Sequence, residues 1–258
     1  MPLSLLKFAL GVGLTLTLRV AAADSPAIAA AADLKPVLTE LAPAFTTTPL
    51  ATPRFTFGSS GQLAQQIANG APFELFLSAD EDYIFGLVKQ GKARDAGVVY
   101  GRGRVVLFAR ANARWLPDAA LAGLRAALTA KRIQHFAIAN PAHAPYGRAA
   151  RAVLESVKLY EEIEPRLVLG ENAAQATQFA LSGAADGGII PLSLAISVAR
   201  SGAGTYVILP RDLHKTVPLR QRMALMRDAT PTAIAFYAFL QTDTSRAAFV
   251  RNGIEPAE

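Results

Sequence analysis

The stretch Arg54-Phe55-Thr56-Phe57-Gly58-Ser59-Ser60-Gly61-Gln62-Leu63-Ala64-Gln65-Gln66-Ile67-Ala68-Asn69-Gly70 decides the fold. Its first four residues favour a strand. Leu63, Ala64 and Ile67 then recur at helical spacing, and Gly70 stands where a helix stops. A strand that runs through glycine and serine straight into a helix leaves the first helical N–H groups unpaired. Beside them lie two hydroxyl donors and the positive end of the helix macrodipole. Such a turn holds an anion without a cationic side chain. The plainer reading makes one serine an ordinary N-cap. Further turns of the same kind would favour the anion.

Working outward, three more are present. Ala27 to Ala32 reads as a buried strand of small residues, with Asp33 at the N-cap position of a helix striped by Leu34, Val37, Leu38, Leu41 and Phe45. Pro36 falls in its first turn, and Pro43 is expected to end or kink it. Phe136 to Ala139 is a strand that runs into Asn140-Pro141-Ala142-His143-Ala144-Pro145-Tyr146-Gly147-Arg148, which opens a helix. Arg166 to Leu169 is a strand followed by Gly170-Glu171-Asn172-Ala173 and a helix that Gly183 stops. Between these units lie a strand at Phe73–Leu77 and Ser78-Ala79-Asp80-Glu81, which matches a capping box. Further strands are expected at 104–109, 187–190, 205–209 and 223–226, and helices after Pro117, Pro191, Pro231 and Ser245.

Strands alternating with helices argue an α/β fold. Open α/β sheets bind ligands at the carboxyl ends of their strands. Two of the four turns come early and two late, so a ligand shared by them would sit between two lobes.

The chain has 258 residues, 52% of them hydrophobic and 18% charged, which allows a substantial core. It has no cysteine, which excludes disulfides, a thiol nucleophile and zinc–thiolate sites. Lys7, the apolar run Phe8–Leu18 and Ala21-Ala22-Ala23 read as a signal peptide cleaved after Ala23, which sends the protein to the periplasm. Loss of Lys7 and Arg19 with that segment lowers the net charge from +6 to +4. The basic residues are scattered without interleaved aromatics, so no nucleic-acid partner is expected. His135, His143 and His214 show no metal-ligand spacing. A serine hydrolase built from Ser59 or Ser60 with His143 and Asp80 is conceivable, but there is no G-x-S-x-G elbow. Glu161, Glu162 and Glu164 read as a solvated loop, and Trp115 and Tyr100 as packing residues.

The series Ala30-Ala31-Ala32-Asp33-Leu34, Gly58-Ser59-Ser60-Gly61, Gly70-Ala71-Pro72-Phe73, Phe76-Leu77-Ser78-Ala79-Asp80, Ala144-Pro145-Tyr146-Gly147-Arg148 and Gly170-Glu171-Asn172 resembles the periplasmic molybdate-binding proteins of ABC transporters. The resemblance spans nearly the whole chain after residue 23. It implies a two-lobed type II periplasmic binding-protein fold, each lobe a mixed sheet flanked by helices, joined by two crossover strands. Lobe 1 would be 24–107 with 214–258 returning to it, and lobe 2 would be 108–213. Crossovers would fall near Leu107 and between Leu209 and Leu219. The implied function is receptor, not enzyme. It takes molybdate or tungstate as a bare oxyanion, without a cofactor or a protein-ligated metal. The implied partner is an ABC permease in the inner membrane, and the receptor is expected to act as a monomer. A receptor of the same fold for phosphate or another oxyanion is the alternative.

By position, the resemblance makes Ser60 a hydroxyl ligand beside Ser59, and makes Tyr146 and Ala173 backbone N–H donors. Two positions depart from the family. Asp33 stands where the best-known members carry serine, and Pro191 where some carry tyrosine. A carboxylate facing a dianion is repulsive. Asp33 is therefore expected to cap its own helix and offer only its backbone N–H, or else to accept a hydrogen bond from a protonated oxyanion such as hydrogen phosphate. The first is preferred. Arg148 is expected to face outward from the first turn of its helix.

Overall fold

The computed structural model describes residues 25–45, 52–199 and 201–257. The expected signal peptide lies outside them. In chain order the elements are β1 (Ala27–Ala31), α1 (Lys35–Phe45), β2 (Arg54–Gly58), α2 (Ser60–Ala68), β3 (Leu75–Ser78), α3 (Glu81–Lys89), β4 (Val98–Arg102), β5 (Val105–Arg110), α4 (Ala122–Thr129), β6 (Phe136–Ala139), α5 (Pro145–Ser156), α6 (Tyr160–Ile163), β7 (Leu167–Gly170), α7 (Ala173–Ser182), β8 (Gly188–Pro191), α8 (Leu192–Ala199), β9 (Gly204–Ile208), β10 (Arg220–Leu225), α9 (Pro231–Phe239) and α10 (Asp243–Arg251).

The strands form two five-stranded sheets, β2-β1-β3-β10-β4 and β7-β6-β8-β5-β9. Both follow one plan. Three parallel strands come first, then a strand antiparallel to them, then one antiparallel to that. The central parallel strands are apolar throughout because helices cover both faces. Ile28, Ala29, Leu75, Phe76 and Leu77 in the first sheet are fully buried, as are Phe136, Ala137 and Ile138 in the second. These two sheets with their helices are the lobes that the resemblance implies.

The chain passes from the first sheet to the second through Gly103 and Arg104, and returns between Ile208 and Arg220. Leu107 lies inside β5. The two crossings are bonded to each other. Gly103 N–H donates to Leu219 O at 3.0 Å, and Leu209 N–H to Val105 O at 3.0 Å. After α10 the chain ties back to the first crossing. Arg102 N–H donates to Glu255 O at 2.8 Å, and Arg104 meets the Glu255 carboxylate at 2.6 Å.

Several local expectations need correction. α1 does not end at Pro43 but runs on to Phe45, with Val37, Leu38, Leu41 and Phe45 all buried along one stripe. Ser78 does not open α3. It ends β3, where it pairs with Arg222, and Asp80 is the N-cap, accepting Asp82 N–H at 3.0 Å. Glu81 turns instead to Arg222, 2.9 Å away. The acidic run at 161–164 forms α6 and the start of a 3₁₀ turn. β4 was not foreseen; it pairs with β10 from the far end of the chain.

Gly97 leads into β4 beside the bulge between Gln221 and Arg222. Its φ is +58°, and a Cβ there would stand 1.9 Å from Met223 O. Gly91 has a φ of +65° and open space around it. Gly91→Ala is expected to cost only the left-handed strain, about 1–2 kcal/mol. Gly97→Ala is expected to cost clearly more, because β10 must also move. Urea unfolding of the two variants measures the difference.

Candidate functional site

Three helices aim their N-termini at one gap between the lobes. α2 follows β2 in the first lobe, and α5 and α7 follow β6 and β7 in the second. The caps leave particular N–H groups over. Ser59 caps α2 by accepting Gln62 N–H at 3.4 Å. Asn172 caps α7, its Oδ1 accepting the N–H groups of Ala174 and Gln175 at 3.0 and 3.1 Å. α5 begins with Pro145, which has no N–H to offer, and no side chain caps it. The N–H groups of Ser60, Tyr146 and Ala173 remain in the first turns, and none has a partner among the described residues.

The gap is small, with room for about one water-sized sphere. Asp33, Ser59, Ser60, Tyr146 and Ala173, nominated from sequence, all line it, together with Ala32, Gly58, Ala79, Ala144 and Pro145. Small residues let an occupant reach the backbone. Ser60 is fully buried, and its Oγ accepts Ala79 N–H at 3.0 Å. That bond uses a lone pair and leaves the hydroxyl hydrogen to donate into the gap. Ser59 is differently employed. Its hydroxyl lies 3.0 Å from Gln62 Oε1 and 2.9 Å from His143 Nδ1.

Asp33 does not cap a helix, contrary to expectation. It sits inside a 3₁₀ turn, Ala32–Leu34, and its carboxyl reaches across to other elements. Asp33 Oδ2 accepts Tyr146 Oη–H at 2.8 Å and Gln221 Nε2–H at 2.8 Å. Gln221 also donates to Tyr146 Oη at 3.0 Å. The group is completely buried, and burial pushes its pKa from 3.8 up to about 6, against the pull of the hydrogen bonds from Gln221 and Tyr146 and a weaker one from its own backbone. Tyr146 is in turn pushed well above its ordinary value, first by burial and then by the charge of Asp33. Gln221 escaped notice in the sequence. A buried polar residue in a strand is its only signal, and the strand was expected to start at Met223. Pro191 ends β8 and does not line the gap.

Around the gap runs a rim of contacts between lobes. Gly61 N–H donates to His143 O at 3.0 Å, and Tyr83 Oη–H to the same oxygen at 3.4 Å. Gln62 Nε2–H donates to Glu171 at 2.8 Å. Arg148 does not face outward. It forms an ion pair with Asp80, donates to Tyr83 Oη at 2.7 Å and lies 5.4 Å from the Tyr83 ring centre. The conceivable hydrolase triad is not assembled, since Asp80 belongs to Arg148 while Ser59 and His143 are rim partners. No cluster of His, Asp and Glu among the described residues is arranged to hold a metal ion. The gap thus offers fixed neutral donors and a single carboxyl, which suits a small oxyanion.

The model of the family described as "Bacterial extracellular solute-binding protein" matches residues 27–255. The chain belongs to that family. It is 35% identical to the molybdate-binding protein ModA of Rhodobacter capsulatus over 245 residues, covering 93% of this chain and 92% of that one. It is 34% identical to the Azotobacter vinelandii ModA, covering 72% of each. Among solved structures, the periplasmic molybdate-binding protein of Azotobacter vinelandii superposes with a TM-score of 0.80 at 28% identity, covering 91% of this chain and all of that one. The sulfate-binding protein SubI of Mycobacterium tuberculosis shares the fold, with a TM-score of 0.70 at 20% identity over 91% of this chain and 87% of that one. The family is one of receptors, not enzymes.

The contact between the lobes at Gly61 depends on bare backbone. A Cβ there would stand 2.6 Å from His143 O and 2.9 Å from Tyr83 Oη. Within α2 alone, alanine is preferred to glycine by about 1 kcal/mol. Gly61→Ala is therefore expected to unfold no more easily than the parent chain, yet to hold its lobes apart. Small-angle scattering with saturating oxyanion should give it the larger radius of gyration.

Proposed function

We propose that this chain is a periplasmic receptor that captures molybdate, and tungstate with it, between its lobes and delivers it to an ABC permease in the inner membrane. The observation that carries the reading is the convergence of the free N–H groups of Ser60, Tyr146 and Ala173, from two lobes, on one small gap. The likeness to proteins named for molybdate binding supplies the identity of the anion. In this reading Ser60 gives its hydroxyl and N–H, and Tyr146 and Ala173 give N–H groups. Asp33 gives its backbone N–H, while Ser59 holds the turn in place. The receptor works as a monomer, with residues 1–23 removed on export.

A dianion in a dry cleft is held by charge-assisted hydrogen bonds. Molybdate, tungstate and sulfate are all tetrahedral dianions, so charge does not separate them. Fixed donors separate them by size, since a smaller anion cannot meet all of them at good distance.

Calorimetric titration with molybdate, tungstate, sulfate and phosphate tests the reading. Molybdate and tungstate are expected to bind, and sulfate far more weakly. Equal affinity for sulfate would remove the size argument, and preference for phosphate would replace the ligand. Ser60→Ala is expected to lose roughly 1.5–3 kcal/mol of binding, the worth of one hydrogen bond to a charged group. Ser59→Ala should lose less, because its hydroxyl serves the rim.

A further inference from the structure

The receptor reading leaves the Asp33 side chain without a task. Its carboxyl is 0% exposed. Oδ2 takes both side-chain hydrogen bonds, from Tyr146 and Gln221, while Oδ1 is buried with no side-chain hydrogen-bond partner among the described residues. The residue lines the gap. An ionised carboxylate there would repel the very dianion the neighbouring N–H groups attract. A proton on Oδ1 reverses that interaction. The O–H then donates to an oxyanion, and Oδ2 still accepts from Tyr146 and Gln221.

We infer that Asp33 holds the bound oxyanion as a neutral carboxylic acid, donating from Oδ1, so that each anion captured brings one proton in from solvent. This inference rests on the receptor reading of the same gap. Asp33 is thereby a specificity-determining residue that couples binding to pH.

Burial, net of the hydrogen bonds that oppose it, lifts the Asp33 carboxyl to about 6, and a neighbouring dianion acts in the same direction. Its charged and titratable surroundings are few. Tyr146 on α5 and Tyr100 near it on β4 are both pushed well above their ordinary range by burial, so they stay neutral. α7 and α8 carry no titratable residue. Lys35 and Glu40 on α1 and Arg54 on β2 are exposed. On β10, Arg222 is engaged by Glu81, and Arg220 lies 3.5 Å from the same carboxylate. His143 contacts Ser59, not Asp33. Because binding raises the pKa of Asp33, affinity is greatest where the group is already protonated. It is lost as pH rises above about 6.

The test is calorimetric titration of the full mature chain with molybdate, across a pH series and in buffers of different ionisation enthalpy. Expected is an uptake approaching one proton per anion at about pH 7.5, with affinity falling by up to tenfold per pH unit. Asp33→Asn keeps an N–H donor at the same place. It should bind without proton uptake, show no pH slope and exceed the parent chain at alkaline pH. Tyr146→Phe removes a bond that favours ionised Asp33, and should move the fall in affinity to higher pH. Tight binding by the parent chain with neither slope nor proton uptake overturns the inference and leaves the receptor reading standing. So does a slope that persists in Asp33→Asn, which assigns the proton to another group. Failure of molybdate, tungstate, sulfate and phosphate to bind at any pH overturns both.

Discussion

Three helices carried by two different sheets have to bring their first free N–H groups to one point. The rest of the architecture answers to that requirement. A parallel strand followed by a helix places the helix N-terminus at the carboxyl edge of its sheet, and both sheets repeat the same plan. Two crossings bonded to each other set those edges face to face. The residues around the meeting point are small, so that backbone and not side chain forms the wall. Neutral donors of this kind are fixed by the fold, and they need no reorganisation when an anion loses its water.

Asp33 departs from that scheme. It is a buried acid whose side-chain hydrogen-bond partners are a phenol and an amide. Local rules of burial and charge are broken where a site demands it. The cost appears as a pKa lifted by burial. Tyr146 ties the departure to the scheme, because its backbone lines the gap at the start of α5 and its hydroxyl holds the acid.

The strand-to-helix turns were legible because their signals are local. Apolar spacing names the helix, and glycine, serine or asparagine names its start. That Ser60, Tyr146 and Ala173 stand together at the gap is read in this way, with the family resemblance to assign their order. What was missed depends on residues distant in sequence. β4 has half-exposed residues and a glycine, and it exists because β10 pairs with it. Ser78 carries a capping pattern, yet pairing with Arg222 keeps it in its strand. Asp33 reads as a cap until the fold brings Tyr146 and Gln221 to it from 113 and 188 residues away. Arg148 looked solvated because Asp80 and Tyr83 reach it only across the cleft.

The rim that joins Ser59, Gly61 and Gln62 to His143 and Glu171, and Arg148 to Asp80, is made by the chain itself and touches no anion in the receptor reading. Such contacts bias how often the empty molecule is shut. Apparent affinity scales with the fraction of molecules in the competent state, and it does so equally for every ligand that needs that state. Strength and choice are therefore set in different places. Drift among rim residues would, in the receptor reading, retune affinity to richer or poorer surroundings for every ligand together, while the order in which they are ranked stays with the groups inside the gap, the hydroxyl of Ser60 and the carboxyl of Asp33 among them.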